Sequence, residues 1–163
     1  MNKNLITTGT VATNRKARFN YAILETFEAG IVLSGGEVKS LRGGHASISE
    51  SYATKENGRL MLINAHILEY AATKGGFAPH EAARPRELLL HKKELKKIFA
   101  HVDRKGQTIV PLEIYFNNRG IAKVRLGLAV GKTHSDKRAD IKKRDWNIEK
   151  RRVLAHFNNG KKI

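Results

Sequence analysis

The residues whose types could do chemistry in this chain are mostly cations, and one group of them carries an aromatic. Asn14-Arg15-Lys16-Ala17-Arg18-Phe19 sets three cations beside one ring. Cations hold phosphates, and an aromatic face stacks on an unpaired base. Lys123 and Arg125 alternate with Ala122, Val124 and Leu126, so a strand there would present both cations on one face. Glu28 is an acid in a basic region. It either makes a structural salt bridge or accepts hydrogen bonds from base or ribose groups, and chemistry alone favours the salt bridge. Lys92, Lys93, Lys96 and Lys97 sit outside an apolar helical pattern and read equally well as a solvated face.

Catalytic patterns are missing. Gly127-Leu128-Ala129-Val130-Gly131-Lys132-Thr133 imitates a phosphate-binding loop but has three residues where that loop needs four before its Gly-Lys pair. It reads as a strand ending in glycine. The histidines at 45, 66, 80, 91, 101, 134 and 156 form no His-Glu-x-x-His pair. No serine occupies a Gly-x-Ser-x-Gly elbow. The acids from Glu25 to Glu81 show no spacing that implies a catalytic pair. With no cysteine, thiolate zinc sites and disulfides are excluded, and a reducing cytoplasm suits the chain. We expect no enzyme, no metal and no cofactor.

The elements that must position these cations read mainly as strands. Residues 1–13 lack periodicity and are expected as a flexible arm. Tyr21 to Leu33 is β-branched and predicts two strand segments, or one bent strand, broken near Phe27 to Gly30. Glu37 to Arg42 predicts a short helix stopped by Gly43-Gly44. Asn57-Gly58 predicts a hairpin between Ser51–Lys55 and Arg59–Asn64. A further strand is expected over His66–Tyr70, a loop over Ala71–Arg86, and an amphipathic helix over Leu88–Val102. Gln107–Phe116 and Ile121–Val130 predict a strand pair. Many short strands with turns between them favour a small barrel carrying one or two helices.

The charge points to the partner. The 163 residues carry 31 Lys or Arg against 15 Asp or Glu, a net charge of +16. Such an excess calls for nucleic acid or an anionic membrane. From Gly131 onward the chain has 11 Lys or Arg and 4 Asp or Glu. Ser135 would cap a helix there, with Asp136 in its first turn. Ile141, Trp146, Ile148, Val153 and Leu154 share no single face, so such a helix has little to bury and no membrane-facing stripe. No stretch is long and apolar enough for a membrane span, and the first residues lack the apolar core of a secretory signal.

Four strings then resemble one family. NRKARFNY, ETFEAGIVLSGGEVKSLRGG, RPRELLLHKKEL and GKTHSDKRADIKKRDW, in order between Asn14 and Phe157, look like those of SmpB, the small protein B family that binds transfer-messenger RNA (tmRNA). The resemblance implies a fold that is mainly β with α: an oligonucleotide-binding (OB)-like antiparallel β-barrel over 14–130, with a few peripheral helices. It implies a basic C-terminal tail over 131–163, which we expect to be disordered when free and helical on the ribosome. It further implies an adaptor of trans-translation that holds the tRNA-like domain of tmRNA and brings it to stalled ribosomes. There the tail would probe the empty mRNA channel beside small-subunit rRNA near the decoding centre. Elongation factor Tu and alanyl-tRNA synthetase would enter through the RNA.

By position, Asn14, Glu28, Leu90 and Lys123 match family residues tied to tmRNA binding. Arg15, Lys16, Arg18, Phe19, Arg125 and Lys132 complete the expected RNA-binding set. Asp136, Lys137, Arg138, Lys142, Arg144 and Trp146 form the expected ribosome-facing set of the tail. Phe19 stands where the family commonly has His, and Thr133 where a second Lys is common. A ribosomal or assembly protein that binds rRNA stably is the alternative, and an RNA-modifying enzyme is the remote one.

Overall fold

A computed structural model describes residues 5–70 and 80–159. Its order is β1 (Gly9–Thr13), α1 (Arg15–Asn20), β2 (Tyr21–Ile31), α2 (Gly35–Arg42), β3 (Ala46–Ser47), β4 (Tyr52–Glu56), β5 (Arg59–Ile63), β6 (His66–Ile67), β7 (Arg86–Leu89), α3 (Lys92–Val102), β8 (Gln107–Phe116), β9 (Ala122–Gly131) and α4 (His134–Asn159). The chain separates into two compact units, 1–131 and 132–163.

In the first unit the strands run β8-β4-β5-β7-β2-β9, and a β8–β9 pairing closes them into a ring of six. All pairings are antiparallel. Two of the seams are short: β2 meets β7 only at Gly30 and Ile31, and β4 meets β8 only at Ala53. Asn57 (φ 48°) and Gly58 (φ 75°) make the two-residue turn between β4 and β5, both in the left-handed conformation such a turn needs. Gly30 pairs with Leu89 of β7 on one side and Lys123 of β9 on the other, so the strand runs on through it. The apparent interruption near Phe27 to Gly30 is therefore no break, and β2 is one strand with an irregularity between Ile23 and Glu25.

Alternation fills the ring. Leu60 and Leu62, Ile109 and Ile114, and Val124 and Leu126 all point inward, and Leu41 and Ile98 from α2 and α3 join them. Burying each such side chain contributes about 1.5–3 kcal/mol. A polar cross-link ties α2 to β7. Ser34 and Glu37 form a capping box at the start of α2, and the fully buried Glu37 carboxylate also accepts from Arg84 and Arg86. Burial pushes the Glu37 pKa up. The Arg86 and Arg84 hydrogen bonds and the Ser34 amide outweigh it and hold the group at about 2.

Three expectations change. Gly9–Thr13, read as part of a flexible arm, forms β1 and pairs with the C-terminal half of β8. Arg86–Leu89, read partly as loop and partly as helix, pairs with both β5 and β2, so the helix begins only at Lys92. The strand over His66–Tyr70 shrinks to His66–Ile67. Of the expected loop over Ala71–Arg86, residues 71–79 lie outside the described ones.

Helix α1 also went unread, because six residues with one apolar side carry almost no periodicity. It packs Ala17 against Val110, Leu112 and Ala129 on the outside of the ring, a second small core. Asn14 secures it. Its side chain accepts from the Ala17 amide (3.1 Å) and donates to Pro111 O (3.0 Å), while its own amide donates to Leu112 O (2.8 Å). The β8 register shifts between Pro111 and Glu113. One buried asparagine thus caps α1 and satisfies two carbonyls at a bulge.

The second unit is built on the 26-residue α4. Its cap is Thr133 rather than Ser135. The Thr133 amide and hydroxyl donate to Asp136 (3.2 and 2.7 Å), and the Asp136 amide returns to the Thr133 hydroxyl (3.3 Å). These bonds hold the Asp136 carboxyl below its ordinary pKa. Trp146, Val153 and Phe157 fall at i, i+7 and i+11 on one side, with Leu154 next to them, while Ile141 and Ile148 lie on another. All six are exposed.

Candidate nucleic-acid interface

The outer face of β8, β9 and β2 sets Lys123 and Arg125 among two glutamates and a tyrosine. Register places Tyr115 opposite Lys123 and Glu113 opposite Arg125, and Glu28 opposite Arg125 on the other side. The side chains join into one network. The Tyr115 hydroxyl donates to Glu28, and Lys123 Nζ lies 3.9 Å from the same carboxylate. Arg125 pairs with Glu113 and lies 5.3 Å from the centre of the Tyr115 ring. Thr10 on β1 donates to Glu113 (3.3 Å). Burial, then the Glu28 carboxylate, raise the Tyr115 pKa to about 12, so the phenol stays a donor at neutral pH.

Beside this network lies an open hollow of about 570 Å³, lined by Glu28, Leu89, Leu90, Ile121 and Lys123 among others. Leu90 is half-buried against the main core. Leu89 and Ile121 are 52 % and 50 % exposed. The hollow therefore offers an apolar surface for a base or ribose, a carboxylate for their N–H and O–H donors, and an ammonium for a phosphate. A second hollow, of about 400 Å³, is lined by Arg15, Arg18, Arg125, Glu113 and Asn14.

The structure thus brings Glu28, Leu90 and Lys123 to one hollow, and Arg15, Arg18 and Arg125 to the next. Asn14 lines the second, but it is 4 % exposed and engaged at both ends of its amide. Lys16 is exposed and pairs with Glu50, and Phe19 is half-buried. Lys132, Asp136, Lys137, Arg138, Lys142, Arg144 and Trp146 belong to the second unit. There Lys132 pairs with Asp140, and Trp146 is 68 % exposed.

Tyr115 and Glu113 went unread in the sequence. Their alternation with Ile114 and Phe116 was visible, but only the register sets them beside Lys123 and Arg125. The helix lysines divide: Lys97 turns back to Glu25 (2.8 Å), while Lys92, Lys93 and Lys96 are exposed. Among the described residues, no His, Asp or Glu cluster could hold a metal ion, and no helix is long and apolar enough to cross a membrane.

A closed antiparallel ring of six strands with peripheral helices defines an OB-like β-barrel protein. The SmpB protein family matches residues 11–156. An "SsrA-binding protein" of Chelativorans sp. (strain BNC1) is 57 % identical over 145 residues, spanning 89 % of this chain and 92 % of that one. Another "SsrA-binding protein", from Bradyrhizobium diazoefficiens, is 55 % identical over 144 residues, spanning 88 % and 90 %. A solved chain described as "tmRNA-SmpB: a journey to the center of the bacterial ribosome" is 51 % identical, with a TM-score of 0.63 over 78 % of this chain and 86 % of that one. The chain belongs to the SmpB family.

Proposed function

We propose that this protein binds the tRNA-like domain of tmRNA through its barrel and serves as a non-enzymatic adaptor of trans-translation in the cytoplasm. The observation that carries the reading is the hollow uniting Glu28, Leu90 and Lys123, together with the hollow lined by Arg15, Arg18 and Arg125, in a chain whose relatives are named SsrA-binding proteins. Glu28 accepts from base or ribose groups, Leu90 supplies an apolar seat, and Lys123, Arg125, Arg15 and Arg18 hold phosphates. Asn14 acts by fixing α1 and the bulge under those arginines.

The adaptor then carries the RNA to stalled ribosomes. Its tail, lacking a core of its own, is disordered when free and folds as a helix against small-subunit rRNA in the empty mRNA path. Lys137, Arg138, Lys142 and Arg144 meet phosphates, and Trp146 stacks on a base. Lys132 joins the barrel's RNA contacts. Elongation factor Tu and alanyl-tRNA synthetase join through the tmRNA.

Titrating the protein with the tRNA-like fragment and with an ordinary tRNA tests this, the fragment being expected to bind more tightly. If roughly five phosphates are neutralised, log affinity falls with log salt at a slope of about −3.5 to −4.5. Equal affinity for both RNAs, or a slope near zero, overturns the reading.

A further inference from the structure

Helix α1 divides two hollows. Arg15 and Arg18 line the one described above. The other, of about 300 Å³, is lined on the far side of α1 by Lys16, Asn20, Tyr21, Ser49, Tyr52 and Thr108. Apart from Asn14 and Lys16, no residue of this pocket enters the expected RNA-binding set, and its lining differs in kind: two phenol rings, three Ser or Thr hydroxyls and two carboxamides, with one cation and the Glu50 carboxylate. Tyr21 packs against the small outer core and so forms a held wall. Tyr52 stands on β4 opposite Ile63, with 42 % of its surface in solvent. Thr108 lies on β8 opposite Ala129. Its walls come from α1, three paired strands and the turn at 49–51, where the Ser51 hydroxyl donates to Ile48 O (2.6 Å).

We infer that this pocket is a subsite for one unstacked nucleotide of RNA, with its base on the Tyr52 ring and its phosphate on Lys16. The volume sits at the small end of ligand pockets, with room for one nucleoside rather than a base pair. An aromatic ring accepts any base by its π face, and Asn20 and Ser49 supply donors and acceptors for a base edge. Lys16 now pairs with Glu50 at 2.5 Å, with side chains 63 % and 72 % exposed. An ion pair that exposed is weakly held, so a phosphate displaces Glu50 at little cost. An acidic peptide would engage Lys16 but leave the ring and the hydroxyls unused.

The RNA reading above supplies the ligand class, so the test separates the two claims. The probe is a short single-stranded RNA with one 2-aminopurine, titrated into the full chain. Fluorescence quenching on binding is expected. Tyr52→Leu should lose the quenching and weaken binding about tenfold, while Tyr52→Phe, which keeps the ring, should match the parent. Glu50→Ala, which removes the competitor for Lys16, should tighten binding severalfold. Arg59→Ala, which removes an exposed cation that lines neither hollow nor pocket, should leave the quenching intact. Repeating the Tyr52→Leu comparison with the tRNA-like fragment and with small ribosomal subunits identifies the source of the nucleotide, whichever weakens. Quenching without preference for the tRNA-like fragment would keep the subsite and discard the adaptor reading. Unchanged quenching and affinity in a Tyr52→Leu protein of parental melting temperature would overturn the subsite.

Discussion

The two units carry comparable positive charge and hold it in opposite ways. Residues 1–130 have 20 Lys or Arg against 11 Asp or Glu, and residues 131–163 have 11 against 4. On the barrel, Lys123 and Arg125 are placed by strand register and steadied by Glu28, Glu113 and Tyr115. In the tail, residues 141–158 are exposed, and the apolar residues divide between two sides of the helix. A preorganised cation loses little rotamer freedom on binding, whereas a solvent-exposed one loses up to about 2 kcal/mol. The barrel face suits one RNA shape held tightly. The tail suits a partner that supplies the shape itself.

The largest effect that could break this comparison comes from removing one side of it. A chain ending at Gly131 should fold, bind the tRNA-like fragment and fail completely to support tagging on stalled ribosomes. Full tagging by the truncated chain would sink the division of labour.

Next in size is the buried cross-link of the barrel. Glu37→Gln leaves Arg86 buried beside a neutral group, at a cost of about 3–5 kcal/mol, a drop in melting temperature of roughly 10–20 °C. Asp136→Asn, on the exposed tail, should not move the main melting transition. The Glu37 carboxylate gives a pH dependence. Its folded pKa of about 2 lies below the ordinary 4.5, so its contribution is complete above about pH 4.5 and fades as pH falls towards 2. Melting curves from pH 6 to pH 2 check this, and Glu37→Gln should flatten the acid limb.

Smaller again are the contacts in the hollow. Glu28→Ala and Lys123→Ala should each weaken tRNA-like fragment binding by about 1.5–3 kcal/mol, roughly 10- to 150-fold, with parental melting. Were Glu28→Ala to lower the melting temperature and spare affinity, its bonds to Tyr115 and Lys123 would be structural only. The smallest effect belongs to the Arg59–Glu87 pair, 3.2 Å apart with Arg59 67 % exposed. Arg59→Ala should cost no more than about 1 kcal/mol in urea unfolding.

Much of the site was legible in the residues themselves. The excess of cations, the NRKARF cluster, the alternation around Lys123 and the Asn57-Gly58 turn depend on side-chain type and on neighbours a few positions away. Two of the four family strings hold Glu28 and Leu90, and Lys123 was matched by its position between the third string and the fourth. Periodicity likewise showed that the tail has no single apolar face, although including Phe157 would have revealed the line it forms with Trp146 and Val153.

Other features depended on residues far apart in the chain. Arg86–Leu89 reads as the end of a loop and the start of a helix until β5 and β2 claim both its edges. Residues 9–13 look structureless until β8 offers an unpaired edge. Asn14 reads as a polar contact for RNA, yet its partners Pro111 and Leu112 lie almost a hundred residues away, at a bulge no local pattern announces. Tyr115 reaches Glu28 across 87 positions only because β9 aligns β8 with β2. Side-chain type and periodicity are local properties and survive in one dimension. Register and bulges, and the hollows they enclose, are set by which strands meet, and that is decided only when the ring closes.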